Sequence, residues 1–537
     1  MTQDNTANTT VRHYHHTTKH HLNRYAAGPD ALDWDDQPEA FRWFDGAAKI
    51  DLPLTADTRS IRYVDLYHAS MRTPQPLTLA SLSGLLELSL GLSAWKQYGD
   101  ARWALRCNPS SGNLHAEEAY VITNSVDQLT GGVYHYLSRD HQLERRCLLE
   151  HNLLPQSTLL IGLSSIQWRE AWKYGERAYR YCQLDIGHAI AAVRYAAAVL
   201  GWHVQIVECA SDVELATLLG IDRPADFDDA EPEHPDVLLS IATTAHCPDI
   251  DLPPLIQAAQ HAQWHGQANV LSPKHMYQWP IIDEVSAAAE KPQTETQPAK
   301  RHNIAPPLAS PCELNAATLI RRRRSAQAFD GTTHISSDAF YRILDMTLPR
   351  PDTPPWDGTP WRDNINLVLF IHRVEGFKPG LYALVRNLAT QADFKHAVQR
   401  EPFQWKPVEH CPAHLALYAL VHANGQKMAA TLSCHQGIAA QSCFSLGMIA
   451  DCSSLIDTPW RYRHLYWEAG MIGQVLYLEA EAAGIQGTGI GCYFDDAVHD
   501  MLGINDPRWQ SLYHFTLGGG LRDSRIQTIA PYAHLNR

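Results

Sequence analysis

The chain has 537 residues, a length that predicts two domains rather than one core, and its 45% hydrophobic content is that of a globular protein. A net charge of −14 excludes a general nucleic-acid binder, because neutralising phosphates needs a basic face. The eleven cysteines include no CxxC pair and no Cys/His spacing of zinc type, so they read as buried or idle thiols in a reducing, cytoplasmic setting.

The N-terminal stretch MTQDNTANTTVRHYHH has no apolar core and is not read as a signal peptide. Residues 1–50 form a polar segment rich in His and aromatics. His13, His15, His16, His20 and His21 lack acidic or thiol companions at ligand spacing, which favours a surface or lid segment over a metal site. The longest apolar run, Leu77 to Trp95, is broken by serines and by Glu87, and predicts an amphipathic helix over about 77–95 rather than a membrane span.

A strand-like Trp103–Arg106 then leads into Asn108–His115, NPSSGNLH. Pro109 and Gly112 predict a tight turn, and Ser110, Ser111 and Asn113 load it with short donors and acceptors. It is either an ordinary Pro-Ser-Gly turn or a binding loop for one planar, polar ligand edge. Strands follow at 119–124 and 131–136, then an apolar segment at 153–163 and a long helix from Tyr179 to Leu200. Residues 285–310 are rich in alanine, proline and charge without periodicity, and read as a linker between a first domain at 51–284 and a second at 311–537.

The second half repeats the order, with helices at 312–323 and 336–347, strands at 365–372 and from Gly380, and a long helix at 463–483. One offset of 283 places Tyr179-Arg180 on Tyr462-Arg463, Gly187 on Gly470, Gly201 on Gly484 and Leu219-Gly-Ile221 on Leu502-Gly-Ile504. The chain is a tandem duplication.

The copies differ where chemistry is expected. The second half has Gly-Thr-Gly-Ile-Gly at 487–491, where the first has Val-Gln-Ile-Val-Glu at 204–208. Glycines let a backbone approach a flat ligand, and side chains block it. Conversely, the second half has PDTPPWDGTPWRDNIN at 351–366 in place of PSSGN. It opens with Arg321-Arg-Arg-Arg-Ser325, which suits a phosphate by charge-assisted contacts, although cations at a helix C-terminus also answer the dipole. Arg522 and Arg525 offer a second arm to the same anion. Each half lacks what the other has, which a single ligand shared between halves explains.

NPSSGNLH, the Arg323-Arg324-Ser325 triplet and the Gly-rich loop running into Phe494-Asp-Asp resemble the FMN-dependent nitroreductase superfamily. More closely, the chain resembles its SagB-type dehydrogenases, whose best-known members oxidise azolines to azoles in modified peptides. The resemblance covers about 60–537 and implies an α+β fold. Each half would be a mostly antiparallel sheet flanked by helices, and the halves would pack as a covalent pseudo-dimer, so a monomer is expected.

It further implies FMN held by Arg323, Arg324, Ser325, Gly489, Ile490, Gly491 and Arg525 of the second half, with Pro109, Ser110, Ser111 and Asn113 of the first. The relatives' phosphate motif Arg-Arg-Ser-x-Arg ends here in Gln327, so Arg324 or Arg525 must supply the missing charge. Arg59-Ser-Ile-Arg62 imitates the same motif in the first half, where a second site has otherwise lost its parts. Lys173-Tyr174 matches a Lys-Tyr base pair of the azoline oxidisers, and a lysine beside a phenol is suited to take a proton as hydride leaves. Alternatively, Lys173 belongs to a solvated cationic helix face with Arg177 and Arg180. The expected substrate is a small or peptidic azoline-like molecule. A reductase of nitro or quinone compounds driven by NAD(P)H is the alternative, and a non-catalytic flavin-binding scaffold is the rival from outside enzymology. No metal, nucleic-acid or membrane partner is expected.

Overall fold

A computed structural model describes residues 3–149, 153–295, 304–361 and 363–535. At its centre two 22-residue helices, Ala178–Val199 and Arg461–Ala482, lie against each other. Every residue of the first is buried and nearly every one of the second. A helix buried on all sides needs no polar stripe, which is why neither shows the one-sided pattern of a surface helix. They touch at Gly187 and Gly470. A Cβ on Gly187 would run into Trp467 O and lie 2.9 Å from Gly470 Cα, and one on Gly470 would run into Leu184 O. Gly470→Ala is therefore expected to cost about 1–3 kcal/mol by overpacking. The same change at an open helix position would gain roughly 0.5–1 kcal/mol, so the sign of the shift in denaturation midpoint checks the contact.

The two helices obey the 283 offset at both ends, and so does the helix pair Asp212–Leu219 and Asp495–Leu502. Gly201 and Gly484 share a φ of +72° and +73°, and Gly220 and Gly503 one of +68° and +74°. These are left-handed turns that favour glycine, so the matched spacing has a conformational cause.

Each half builds one seven-stranded antiparallel sheet. In the first the order is Ala48–Asp51, Gln142–Leu148, Gly132–Leu137, Glu117–Thr123, Thr158–Ser165, His234–Ala242, His203–Ile206. In the second it is Lys406–Pro407, Ala416–His422, Gly380–Val385, Ile365–Ile371, Phe444–Asp451, Trp509–Gly518, Gln486–Ile490. The α+β architecture and the duplication stand as read from the sequence.

Several details differ. The helix expected over 77–95 ends at Ser89, and Leu92–Tyr98 is a strand. It pairs with Ala101–Arg106 on one side and with Gln527–Ile529, from the chain's other end, on the second. That last pairing joins the C-terminal arm to the first half. The stretch 285–310 is not all linker: the helix Pro280–Ala288 runs into it, and the buried Lys291 donates from Nζ to Ala210 O at 2.8 Å. Residues 296–303 lie outside the described residues.

Nor is the N-terminal segment a separate body. Its helix Gln3–Thr17 buries Val11 and Tyr14, and its Ala48–Asp51 is the edge strand of the first sheet. His15 is bonded to Tyr462 Oη and Gln510. Among the described residues no group of three or more His, Cys, Asp or Glu could hold a metal ion, and no helix is long and apolar enough to cross a membrane.

A cavity between the two halves

The focal loop turns where Gly112 and Asn113 both adopt φ +60°. It is pinned from below by Asp185 of the Ala178–Val199 helix, whose carboxylate accepts from Ser111 N at 2.9 Å and Ser111 Oγ at 2.9 Å. Ser110 Oγ accepts from His115 N, and Asn113 Nδ2 donates to Ala104 O at 2.9 Å. The two serines are thus spent largely on shaping the loop. The duplicate keeps the device: Glu468, at the 283 offset from Asp185, accepts from Asn364 N at 2.8 Å and from Ile365 N at 3.3 Å in the connection that replaces PSSGN.

Above the loop lies a cavity of about 1050 Å³ lined by both halves. It brings together Pro109, Ser110, Ser111, Asn113, Tyr174, Arg323, Arg324, Ser325, Gly489, Ile490 and Gly491. Arg525 is not part of it. Its guanidinium turns to Asp523 at 2.7 Å and lies over the Tyr98 ring, and Arg522 faces the cavity instead.

The cations gather at one patch of the wall. Arg323 is buried and donates to Cys107 O and Arg106 O at 3.1 Å, and Arg324 donates to Ser93 O at 3.0 Å. Burial, reinforced by the Arg323 charge, pulls Arg324 down to about 10. Lys96, from the strand that the sequence reading took for helix, is lowered by burial and then by Arg324 and Arg522. Mutual repulsion among half-desolvated cations is relieved by an anion placed among them. Lys96 thus joins Arg324 and Arg522 in the patch, in a cavity that Gln327 also lines.

Tyr477 ties the second-half pieces together. Its hydroxyl meets Ser325 Oγ at 2.8 Å and accepts from Gly489 N at 3.0 Å. The glycines serve neighbouring rings as well as backbone approach: a Cβ on Gly489 would strike the Tyr513 hydroxyl, and one on Gly491 the Tyr181 ring. Tyr513 Oη in turn lies 3.2 Å from Nε2 of buried His188, which burial lowers to about 3.

The Lys173-Tyr174 pair comes up beside Gly112. A Cβ there would lie 2.5 Å from Tyr174 Oη and 3.2 Å from Lys173 Nζ. Tyr174 packs on Tyr181 with ring centroids 4.6 Å apart, and burial, then the charge of Glu170, raises its phenol well above the ordinary value. Glu170 itself is buried with both carboxylate oxygens unpartnered, and burial and then Asp185 push its pKa well up. Lys173 is half-buried and close enough to Glu170 to offset that rise. The sequence reading missed Asp185, Glu170, His188, Tyr181, Tyr477, Tyr513 and Lys96. Asp185 alone left a signal, as an acid inside an apolar helix matched by Glu468 in the copy.

The pseudo-twofold mate of this cavity has nearly closed. A pocket of about 20 Å³ is lined by Ile206, Val207 and Glu208, the counterparts of Gly489–Gly491, and by His464 and Trp467. Trp467 donates to Gln183 Oε1 at 2.7 Å and stacks on His464, whose ring packs tilted against Trp361 of the replaced loop. Arg62 of the imitated motif is spent on Asp65 and Glu313.

Comparison with known proteins agrees with this doubled layout. The family model described as the Nitroreductase family matches residues 73–227 and again 320–519. A protein of Methanocaldococcus jannaschii named as a nitroreductase is 26% identical over 157 residues, which are 27% of this chain and 76% of that one. The trifolitoxin-processing protein TfxB of Rhizobium leguminosarum bv. trifolii is 30% identical over 168 residues, 28% of this chain and under half, 45%, of its own length. A crystal structure from Anabaena variabilis, also named as a nitroreductase, superposes with a TM-score of 0.67 at 22% identity, covering 95% of this chain and 99% of that one. With both of its halves matched by one family model, the chain belongs to the nitroreductase family.

Proposed function

We propose that this nitroreductase-family oxidoreductase holds one FMN in the cavity between its halves and dehydrogenates an azoline-like group in a small or peptidic substrate. The observation that carries the reading is the asymmetry of the two cavities. One, of about 1050 Å³, keeps a cationic patch, a glycine loop and Tyr174, with Lys173 outside its lining, and its mate, of about 20 Å³, is walled by Trp467 and His464. The larger volume reaches the top of the roughly 300–1,000 Å³ range of ligand sites, room for a flavin with substrate beside it.

The residues present fit FMN. Arg323, Arg324 and Ser325, with Lys96 and Arg522 nearby, suit a phosphate whose charge would stabilise theirs. Backbone of Gly489–Gly491 and the Asn113 carboxamide suit the polar edge of the ring system. Bound FMN supplies a hydride acceptor or donor. What the chain supplies is position and proton handling. Tyr174, whose phenol stays protonated at neutral pH, exchanges a proton at Oη as hydride moves, and Lys173 Nζ beside it steadies the charge left on that oxygen. Tyr181 and Tyr513 pack against the glycine loop and fix how closely it approaches a ligand. The relative named for trifolitoxin processing supports a peptidic substrate.

The M. jannaschii relative, named as a nitroreductase, favours a second reading, NAD(P)H-driven reduction of nitro or quinone compounds. One experiment separates the two. FMN-loaded protein is given a thiazoline peptide with a dye acceptor, and separately NAD(P)H with a nitroaromatic. Azole formation with only slow NAD(P)H consumption is expected; rapid, nitroaromatic-dependent NAD(P)H consumption without azole formation overturns the dehydrogenase reading.

A further inference from the structure

Three chain segments distant in sequence meet beside the glycine loop. Phe494 N donates to Leu432 O at 2.9 Å, and Gln436 Nε2 donates to Cys492 O at 3.3 Å. Those bonds lay residues 432–436 alongside 492–494 and set the Cys434 thiol against that of Cys492, with which it shares a hydrogen bond. Cys434 stands at φ +51°, in the turn after the helix Gln426–Leu432. The N-terminal segment closes the group. His20 N donates to Asp495 Oδ2 at 3.0 Å, and His20 Nδ1 accepts from Ala26 N at 2.9 Å. That acceptor role puts the proton of a neutral His20 ring on Nε2, the nitrogen left to hydrogen-bond Cys492.

We propose that Cys434 and Cys492 are a redox-active thiol pair that closes to a disulfide at the cavity wall, Cys492 attacking a small-molecule disulfide and Cys434 resolving the adduct.

The groups facing Cys492 suit the attacking role. From the 434 turn comes the Cys434 thiol, from the N-terminal segment His20 and Tyr25, from the helix Gln167–Tyr174 the Tyr174 phenol, and from the central helix and the turn before it Tyr181 and Arg177; Asp495, three residues on, bears on Cys434. The hydrogen bond from Cys434 draws the Cys492 pKa down first; burial opposes, and His20 and Arg177 add to the lowering. Burial lowers His20 while Cys492 pulls the other way, and the ring favours the Cys492 thiolate both by hydrogen bonding and by charge. A lowered, accessible thiolate is the attacking species of thiol–disulfide exchange, and a neighbouring thiol is what resolves it. Both sulfurs are half-buried, whereas Cys107 is fully buried and pushed up to about 12.

The exchange balances. The Cys492 thiolate forms a bond to one sulfur of the external disulfide, whose S–S bond breaks, and the departing thiolate takes a proton from water. Cys434 then attacks Cys492 Sγ, and the second external sulfur leaves with the proton that Cys434 gives up. The two protein sulfurs lose two electrons and the external disulfide gains them. Closure ties the Gln426–Leu432 helix, which has no counterpart among the described residues of the first half, to the end of the glycine loop, whether or not flavin is bound.

The test uses the full chain. Oxidised glutathione is expected to yield a Cys434–Cys492 linked peptide in a non-reducing mass map. Cys434→Ser, which keeps a hydroxyl donor, is expected to trap one glutathionyl group on Cys492. His20→Phe is expected to raise the pH midpoint of Cys492 alkylation by iodoacetamide. In the wild-type chain that midpoint should lie well below the roughly 8.5 of a free thiol. A wild-type midpoint at or above that value, or alkylation without any linked peptide after oxidation, overturns the proposal. The wild-type measurements alone decide it if a variant fails to fold.

Discussion

Lys173→Ala is expected to leave FMN bound and to lower azoline dehydrogenation by about 10²–10⁴-fold, the usual worth of a positioned acid–base group. The expectation rests on where Lys173 Nζ and Tyr174 Oη converge, beside Gly112 of the focal loop and over the buried, unpartnered Glu170. Tyr174→Phe removes only a hydroxyl and tests the same path with less disturbance. Single-turnover reduction of the flavin by substrate, followed at its visible absorbance, separates chemistry from binding. If Lys173→Ala leaves both flavin content and turnover unchanged, Lys173 is only a half-buried cation near Glu170; the solvated face expected from the sequence does not exist, since Arg177 and Arg180 are buried against Asp495.

The second large effect is on the cofactor itself. Arg324→Ala is expected to weaken FMN by about 10–150-fold, the equivalent of roughly 1.5–3 kcal/mol for a hydrogen bond to a charged group. Riboflavin, which lacks the phosphate, should bind wild type and variant alike. Arg324 is the better probe than Arg323, whose guanidinium is buried against Cys107 O and Arg106 O and whose loss would loosen the approach to the focal loop. Fluorescence titration of free flavin gives both affinities. An equal loss for riboflavin and FMN would place the effect in the fold rather than at the phosphate.

Much of this layout is legible in the sequence because its landmarks answer local physical demands. Gly201/Gly484 and Gly220/Gly503 repeat at one offset because each ends a helix in a left-handed turn, and Gly187/Gly470 because two helix backbones touch there. The loop at 108–115, the arginines at 323–324 and the glycines at 489–491 could be joined only through their complementary presence in the two halves, and one cavity brings them together.

What the sequence hid is non-local. Leu92–Tyr98 continues an apolar run and reads as helix, yet its partners include Gln527–Ile529 from the far end of the chain. That pairing carries Lys96, bonded to Thr528, into the cationic patch and leaves Arg525 outside it. The closing of the second cavity likewise turns on Trp467, which sequence alone offers as one more aromatic in a buried helix. The N-terminal histidines look alike in composition, but burial splits them, His15 toward Tyr462 and His20 toward Cys492.

The central claim is one composite flavin site on a chain that once had two. It is tested most directly by purifying the protein, recording its visible spectrum, releasing the flavin with acid and counting FMN per chain. About one FMN per chain, after reconstitution where needed, is the predicted result. About two per chain would contradict the account, since a second flavin has no room beside Trp467. A colourless chain that FMN cannot reconstitute would contradict it as well and leave a scaffold built on an enzyme's fold.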